Sequence, residues 1–420
     1  MSPLSYRLIQ SAAISTQKKQ LHNQQFDDIY HHSEAVAESQ FVFHEGNRLL
    51  SQWHDKANEP LFVIAETGFG SGLNFLTTRR LWQNCDNKPQ HLHYISTEQW
   101  LLTPAQLLKA YQDFPDLQPD LVKIQQVFQL RRAGFHSYQI DKDITLHLLL
   151  GDACHCLQQL NAQVDAWFLD GFSPAKNPAM WSPDLFQQIA RLSRPGGSFA
   201  TFTAASQVRK NLQAAGFEVV KTTGFKGKRE RLVGQFKTLI NPEKDKQAWA
   251  PTPQATHPVD RITIIGGGVA GLCLAKMARQ KGLNVTVIDR QAQPLAGASG
   301  NPFALMMPYL TAQYSPEALF YWRAFEAALR FYPKDIFKAI GVNEVKQQPR
   351  PDDARLGFAD DLIQATKSGF YYPNSGRINT TALAPYLMAA VDTWLTAEVA
   401  YFAQNTQGQW LVQDSNRNTI

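Results

Sequence analysis

Residues 61–76 read Leu-Phe-Val-Ile-Ala-Glu-Thr-Gly-Phe-Gly-Ser-Gly-Leu-Asn-Phe-Leu. The first six residues form a short apolar, β-rich run, and from Leu73 the apolar residues recur at helical spacing through LNFLTTRRLWQ. Between them Gly68, Gly70 and Gly72 let the backbone turn sharply and approach a ligand closely. Strand, glycine turn and helix together open an α/β unit. Glu66, immediately before the turn, would repel a pyrophosphate, so the turn suits a ligand with a sulfonium or ammonium and no phosphate.

Further strands follow at 92–98, 144–152, 164–172 and 196–203, separated by helices near 103–114, 153–160, 183–193 and 206–215. FEVVKTTGF and KRERLVGQFK then form a hairpin. This alternation predicts a doubly wound parallel sheet with an antiparallel edge, whose ligands lie beyond the carboxyl ends of the strands. Those ends carry acids. Glu98 is placed to accept hydrogen bonds from two ribose hydroxyls, and Asp152 to receive an adenine exocyclic amine. With Glu66 and the glycines they point to S-adenosylmethionine. Asp170, in the fourth strand's LDGFSP, would orient a substrate amine and accept its proton, in surroundings made apolar by Trp167, Phe168 and Phe172. A turn or helix-capping aspartate is the plainer role for it. Lys176 and Asn177, in SPAKNPAMW, are either substrate contacts or parts of a surface loop.

The proline-rich, polar stretch 241–258 reads as a linker between a domain spanning 1–240 and a second spanning 259–420. The second opens with the strand RITII, the turn Gly266-x-Gly268-x-x-Gly271, a helix, and a strand ending at Asp289. That context makes a dinucleotide site of the motif, with the pyrophosphate at the helix N-terminus and Asp289 on the adenosine ribose. FAD and NAD both satisfy it. The small-residue loop Gly297-Ala298-Ser299-Gly300-Asn301-Pro302 favours FAD, with Ser299, Gly300 and Asn301 close to the flavin or its phosphates.

The chain has 420 residues, 44% hydrophobic and 18% charged, which excludes a single small module and a disordered chain. No apolar run approaches the ~18 residues of a membrane span, and no secretory signal opens the chain, so a monomeric cytoplasmic protein is expected. The four cysteines are too few and scattered for a disulfide framework, and Cys154-His155-Cys156 is better read as two thiols flanking a histidine than as a metal site. No metal is expected. The net charge of +5 is mild, but residues 209–237 hold eight Lys or Arg against two Glu. That strip, including Lys226, Lys228 and Arg229, is either a phosphate-facing surface or a solvated hairpin.

The segments ETGFGSGLNFL, STEQWLLT, DAWFLDGFSPAKNPAMW, FKGKRERLVG, IIGGGVAGL and GASGNP resemble the family of bifunctional proteins that make 5-methylaminomethyl-2-thiouridine at the tRNA wobble position. The resemblance implies a class I methyltransferase-like first domain and a Rossmann-type, FAD-binding second domain of the D-amino acid oxidase type. It implies that the second removes a carboxymethyl group oxidatively and the first methylates the freed amine, with Glu66, the glycines, Glu98 and Asp152 on the cofactor and Asp170 at the transfer centre. After His257 only 163 residues remain by subtraction from 420, so the second domain is expected to be incomplete. The competing readings are a methyltransferase acting on a small amine or a protein, beside a non-functional flavin domain, and a non-catalytic cofactor-binding scaffold.

Overall fold

The computed structural model describes residues 9, 11–17, 20–30, 33–128, 133–227, 229–237, 259–311, 315–345, 353, 363–405 and 410–420. Lys228 and the linker 241–258 lie outside them. The chain divides into two compact units, Met1–Pro251 and Thr252–Ile420.

The first unit begins with a small antiparallel meander, β1 (Ile14–Gln17), β2 (Gln20–Asn23) and β3 (Asp28–Ile29). Helix α1 (Ala35–Ser39) continues into a π-type turn, Gln40–Glu45, and α2 (Leu49–Asp55). Then come β4 (Leu61–Thr67), α3 (Leu73–Gln83), β5 (His91–Glu98), α4 (Pro104–Ala110), α5 (Gln118–Ile124), β6 (Gly134–Asp141) and β7 (Ile144–Leu150). They are followed by α6 (Ala153–Gln158), β8 (Val164–Leu169), α7 (Pro183–Leu192), β9 (Ser193–Thr201), α8 (Ser206–Ala214), β10 (Phe217–Thr223) and β11 (Glu230–Phe236). The eight strands from β4 onward form one sheet in the order β10-β11-β9-β8-β4-β5-β7-β6.

Its central strands are apolar on both faces because helices cover both. Phe62, Ile64, Tyr94, Leu146 and Phe168 pack on one side, and Val63, Ala65, Ile95, Leu149 and Trp167 on the other. Each such large side chain contributes about 1.5–3 kcal/mol by leaving water. Local signals set the helix starts. Thr103 and Gln106 form a reciprocal capping box with Pro104 in the first turn of α4, and Ser182 caps α7 ahead of Pro183.

The fold class is the expected one, with two differences. Strand β6 extends the sheet antiparallel to β7; its GFHSYQID alternates in burial, but exposed Phe135 and buried His136 blur the apolar signal. The hairpin, moreover, does not simply append to an edge. Strand β11 inserts between β9 and β10, antiparallel to both, so the edge strand β10 runs with the parallel set. Gly234 makes that insertion possible, since a Cβ there would lie 1.9 Å from the Glu218 carbonyl oxygen and 2.6 Å from the Phe199 ring.

In the second unit β12 (Arg261–Ile265), α9 (Val269–Gln280) and β13 (Asn284–Asp289) form a parallel strand-helix-strand motif. Outside it lie β14 (Phe303–Met306), α10 (Pro316–Phe331), β15 (Phe337–Ala339), β16 (Val342–Val345), β17 (Gln364–Thr366), β18 (Gly369–Tyr372), β19 (Gly376–Asn379) and α11 (Thr380–Met388). Strand β20 (Thr393–Thr396) then joins β13 as a third parallel strand. The other strands make two three-stranded antiparallel sheets and one two-stranded antiparallel sheet, Tyr401–Gln404 with Trp410–Gln413. No helix among the described residues is long and apolar enough to cross a membrane.

Candidate functional site

A cleft of about 470 Å³ opens at the carboxyl ends of β4, β5 and β8, a size suited to a small-molecule ligand. Gly68, Gly70 and Gly72 follow β4 with φ of +89°, +56° and +80°, which an L side chain adopts only with strain. The turn is held from the neighbouring strand, where the Thr97 carbonyl accepts the N–H groups of Gly68 and Phe69. Glu98 adds a second clamp: Gly70 N–H donates to its Oε2 at 2.8 Å and Trp100 N–H to its Oε1 at 2.8 Å. Burial raises its pKa, against the pull of those donors.

Asp170 also lines the cleft. Its Oδ1 accepts Gly171 N–H at 2.8 Å and its Oδ2 accepts the Asn74 amide at 2.7 Å. Glu66 is placed differently from the expectation. It is 1% exposed and is absent from the cleft lining, its carboxyl accepting from Asn74 at 2.8 Å and from the Ser96 hydroxyl at 2.7 Å. Burial pushes its pKa up to about 8, the two hydrogen bonds lowering it and the nearby Asp170 raising it. Glu66 is therefore mostly neutral at pH 7, a polar support under the glycine turn. Asp152 caps α6 through His155 N–H at 2.9 Å, while its neighbours Gly151 and Ala153 form the cleft wall.

Among the described residues the cleft lining carries four carboxylates, Asp28, Glu38, Glu98 and Asp170, and no Lys, Arg or His. Such a field attracts a sulfonium or ammonium and opposes a phosphate. The site therefore fits S-adenosylmethionine by its donor chemistry as well as by its glycines.

In the second unit Gly266, with φ of +107°, turns the chain off β12. Gly271 lets α9 pack on that turn, since a Cβ there would lie 1.9 Å from the Gly266 carbonyl oxygen. Gly268 caps the helix, and Ser299 Oγ accepts Val269 N–H at 3.2 Å, bringing the 297–302 loop over the helix N-terminus. Gly300 and Asn301 close that loop, with Gly300 N–H bound to the Gly297 carbonyl at 2.9 Å and the Asn301 amide to that of Ala298 at 3.5 Å. Asp289 accepts Gly267 N–H at 2.6 Å and Gln291 N–H at 2.7 Å. A helix N-terminus beside small residues, with a carboxylate at the next strand end, fits the adenosine and pyrophosphate of FAD.

Two family models match: an S-adenosyl-L-methionine-dependent methyltransferase over residues 116–237 and an FAD dependent oxidoreductase over 261–351. A tRNA 5-methylaminomethyl-2-thiouridine biosynthesis bifunctional protein from Magnetococcus marinus is 35% identical, the match covering 94% of this chain and 63% of that one. Its namesakes from Hydrogenovibrio crunogenus and Haemophilus ducreyi are 38% and 41% identical over 93% and 73% of this chain, and 63% and 47% of theirs. The chain is similar to this family over most of its length. It spans about two thirds or less of the length of these bifunctional relatives.

In this chain the two units are a methyltransferase-like domain and an FAD-type dinucleotide fold, and the cofactors are S-adenosylmethionine and FAD. The basic strip is less free than its composition suggests. Lys221 pairs with Glu230 at 2.6 Å, Lys226 with Glu34, and Lys237 with Glu218. Arg231 lies over the Phe41 ring at 3.9 Å, and Arg229 is exposed. Lys176 donates to the Asp27 carbonyl and lies 3.9 Å from its carboxylate, whereas Asn177 lines the cleft.

Two features escaped the sequence reading. One is a roof from the N-terminal meander: Phe26 stacks on Phe172 with centroids 4.8 Å apart and meets Trp100 edge-on at 5.1 Å, while Tyr30 meets Phe172 at 5.7 Å. Asn23 shapes it by accepting the N–H groups of Gln25 and Phe26. The other is Asn74. The only local signal for it was a polar residue at the second position of an otherwise apolar helix start.

Proposed function

We propose that this chain modifies the tRNA wobble uridine, its second unit oxidising a carboxymethylaminomethyl side chain and its first methylating the amine so released. The observation that carries the reading is Asp170, a carboxylate at the end of β8 in a cleft whose described lining holds no basic side chain. Bound S-adenosylmethionine would supply an electrophilic methyl group, and bound FAD an acceptor for the hydride of the C–H bond next to the amine nitrogen.

The chain's own groups do the rest. Glu98 and the Gly68–Gly72 backbone would hold the cofactor's adenosine and methionyl parts, with Asp152 near the base. Asp170 would hydrogen-bond the primary amine, leaving the nitrogen lone pair directed at the methyl group. As the new C–N bond forms and the methyl's bond to sulfur breaks, the nitrogen becomes a secondary ammonium and Asp170 takes one of its protons. Phe26, Trp100 and Phe172 exclude water and offer aromatic faces to a uridine turned out of the anticodon stack. In the second unit the α9 N-terminus and Ser299 would hold the pyrophosphate, Asp289 the ribose, and Gly300 and Asn301 the approach to the flavin.

Labelled S-adenosylmethionine and tRNA carrying 5-aminomethyl-2-thiouridine test the proposal. Transfer of label to that nucleoside is expected. Cofactor binding without such transfer, or equal transfer to free small amines, would overturn it. Lys226, Lys228 and Arg229 are the proposed phosphate contacts. Replacing Lys226 and Arg229 by Ala should weaken tRNA binding severalfold and reduce the slope of log K against log salt by about 1–2; an unchanged slope removes them from the tRNA surface.

A further inference from the structure

In the wall of the cleft one amide joins two carboxyl groups. Asn74 Nδ2 lies 2.8 Å from Glu66 Oε1 and 2.7 Å from Asp170 Oδ2. A primary amide has two N–H donors, so both bonds form at once. Its orientation is fixed from the other side, where the buried Ser39 hydroxyl donates to Asn74 Oδ1 at 2.6 Å and lies 3.2 Å from Thr77 Oγ1. Asn74 is 8% exposed and Ser39 4%. A chain of side chains thus runs from α1 through α3 to the ends of β4 and β8.

We propose that Asn74 is a positioning residue for methyl transfer, tying the carboxylate of Asp170 to buried Glu66 and so fixing the direction in which that carboxylate meets the substrate amine. This rests on the reading of Asp170 as the amine-orienting base. Gly171 N–H and Asn74 each occupy one Asp170 oxygen, which locks the carboxylate plane. A carboxylate held by two donors keeps its charge at lower pH than a free one. Among the described residues, Glu66 from β4 and Tyr94 from β5 interact with Asp170; Glu38 from α1, Glu98 from β5 and Asp28 from the meander share its cleft. The Asn74 and Gly171 donors both favour the ionised form there. Burial keeps Glu66 largely neutral near pH 7, which spares Asp170 a second charge below it.

The test is single-turnover methyl transfer to aminomethyl-bearing tRNA across pH, beside cofactor affinity by calorimetry, for the intact chain and for Asn74→Leu, Ser39→Ala and Asp170→Asn. Asn74→Leu should slow transfer about tenfold or more while S-adenosylmethionine affinity stays within about threefold, and should move the acidic limb of the rate profile up by about one pH unit. Ser39→Ala should shift rate and limb the same way by less, and it decides the matter if Asn74→Leu fails to fold. Equal losses of rate and cofactor affinity, or an unmoved limb in the folded variants, would overturn the role of Asn74. An Asp170→Asn protein that transfers at the parent rate would instead overturn the underlying reading of Asp170.

Discussion

The two glycine turns are built on one device and finished differently. In each, the acid ending the second strand accepts an N–H from the glycine turn and another from the residue two positions further along: Gly70 and Trp100 for Glu98, Gly267 and Gln291 for Asp289. An acid at a strand end is thus a backbone clamp before it is a ligand contact. The surroundings set the turns apart. Glu66 precedes the first turn, and acids and an aromatic roof surround the ligand space. Ile265, 53% exposed, precedes the second, and the Ser299 loop crosses a helix N-terminus. The first arrangement selects a cation and the second an anion.

The sharpest way to break that comparison is Gly271→Ala. Its Cβ would lie 1.9 Å from a carbonyl oxygen that cannot yield, so flavin uptake, followed by absorbance, should be lost while S-adenosylmethionine affinity is retained. The counterpart Gly72→Ala meets the end of the Phe69 ring at 2.9 Å and a φ of +80°, and should cost about 1–2 kcal/mol in thermal stability of the first unit. Loss of both cofactors in either variant would show that the turns are not independent.

Of intermediate size, Glu98→Gln turns an amide donor toward one of two N–H donors. It should weaken S-adenosylmethionine binding about tenfold or more by calorimetry and leave flavin content alone; Asp289→Asn should do the reverse. The last effect, read across pH, concerns Glu66. Its folded pKa of about 8 lies above the ordinary carboxylate value of 4.5, so its contribution to stability is full below the unfolded value and is lost as pH rises through about 8. Glu66→Gln removes that ionisation. The variant's Tm relative to the parent should rise between about pH 5 and 9, and a difference independent of pH would show that Glu66 is ionised in the fold.

Strand ends and glycine turns were legible because both are local: periodicity marks the strand, and the glycines mark the bend. The positions of Glu98 and Asp170 at the cleft followed directly. The burial of Glu66 did not, because it depends on Asn74 and on Ser96, 30 residues away. The pairing of Lys226 with Glu34 spans 192 residues, and no charge count along a sequence shows which cations are already engaged. Strand β11 was legible as a strand, but its insertion beside β9 depends on Gly234 meeting a neighbouring carbonyl. The roof was hidden because residues 20–30 have neither helical nor strand period; they are ordered by Asn23 and by aromatic partners far along the chain.

That roof also bears on biosynthesis. Asp28 Oδ2 receives the Ser173 N–H across 145 residues, and Phe26 rests on Phe172. Residues 26–28 therefore wait, during translation, for the segment after β8 to emerge before the ligand space has its cover. Cofactor capture by the nascent first unit becomes a marker of late assembly, set by the slow closure of a long-range contact.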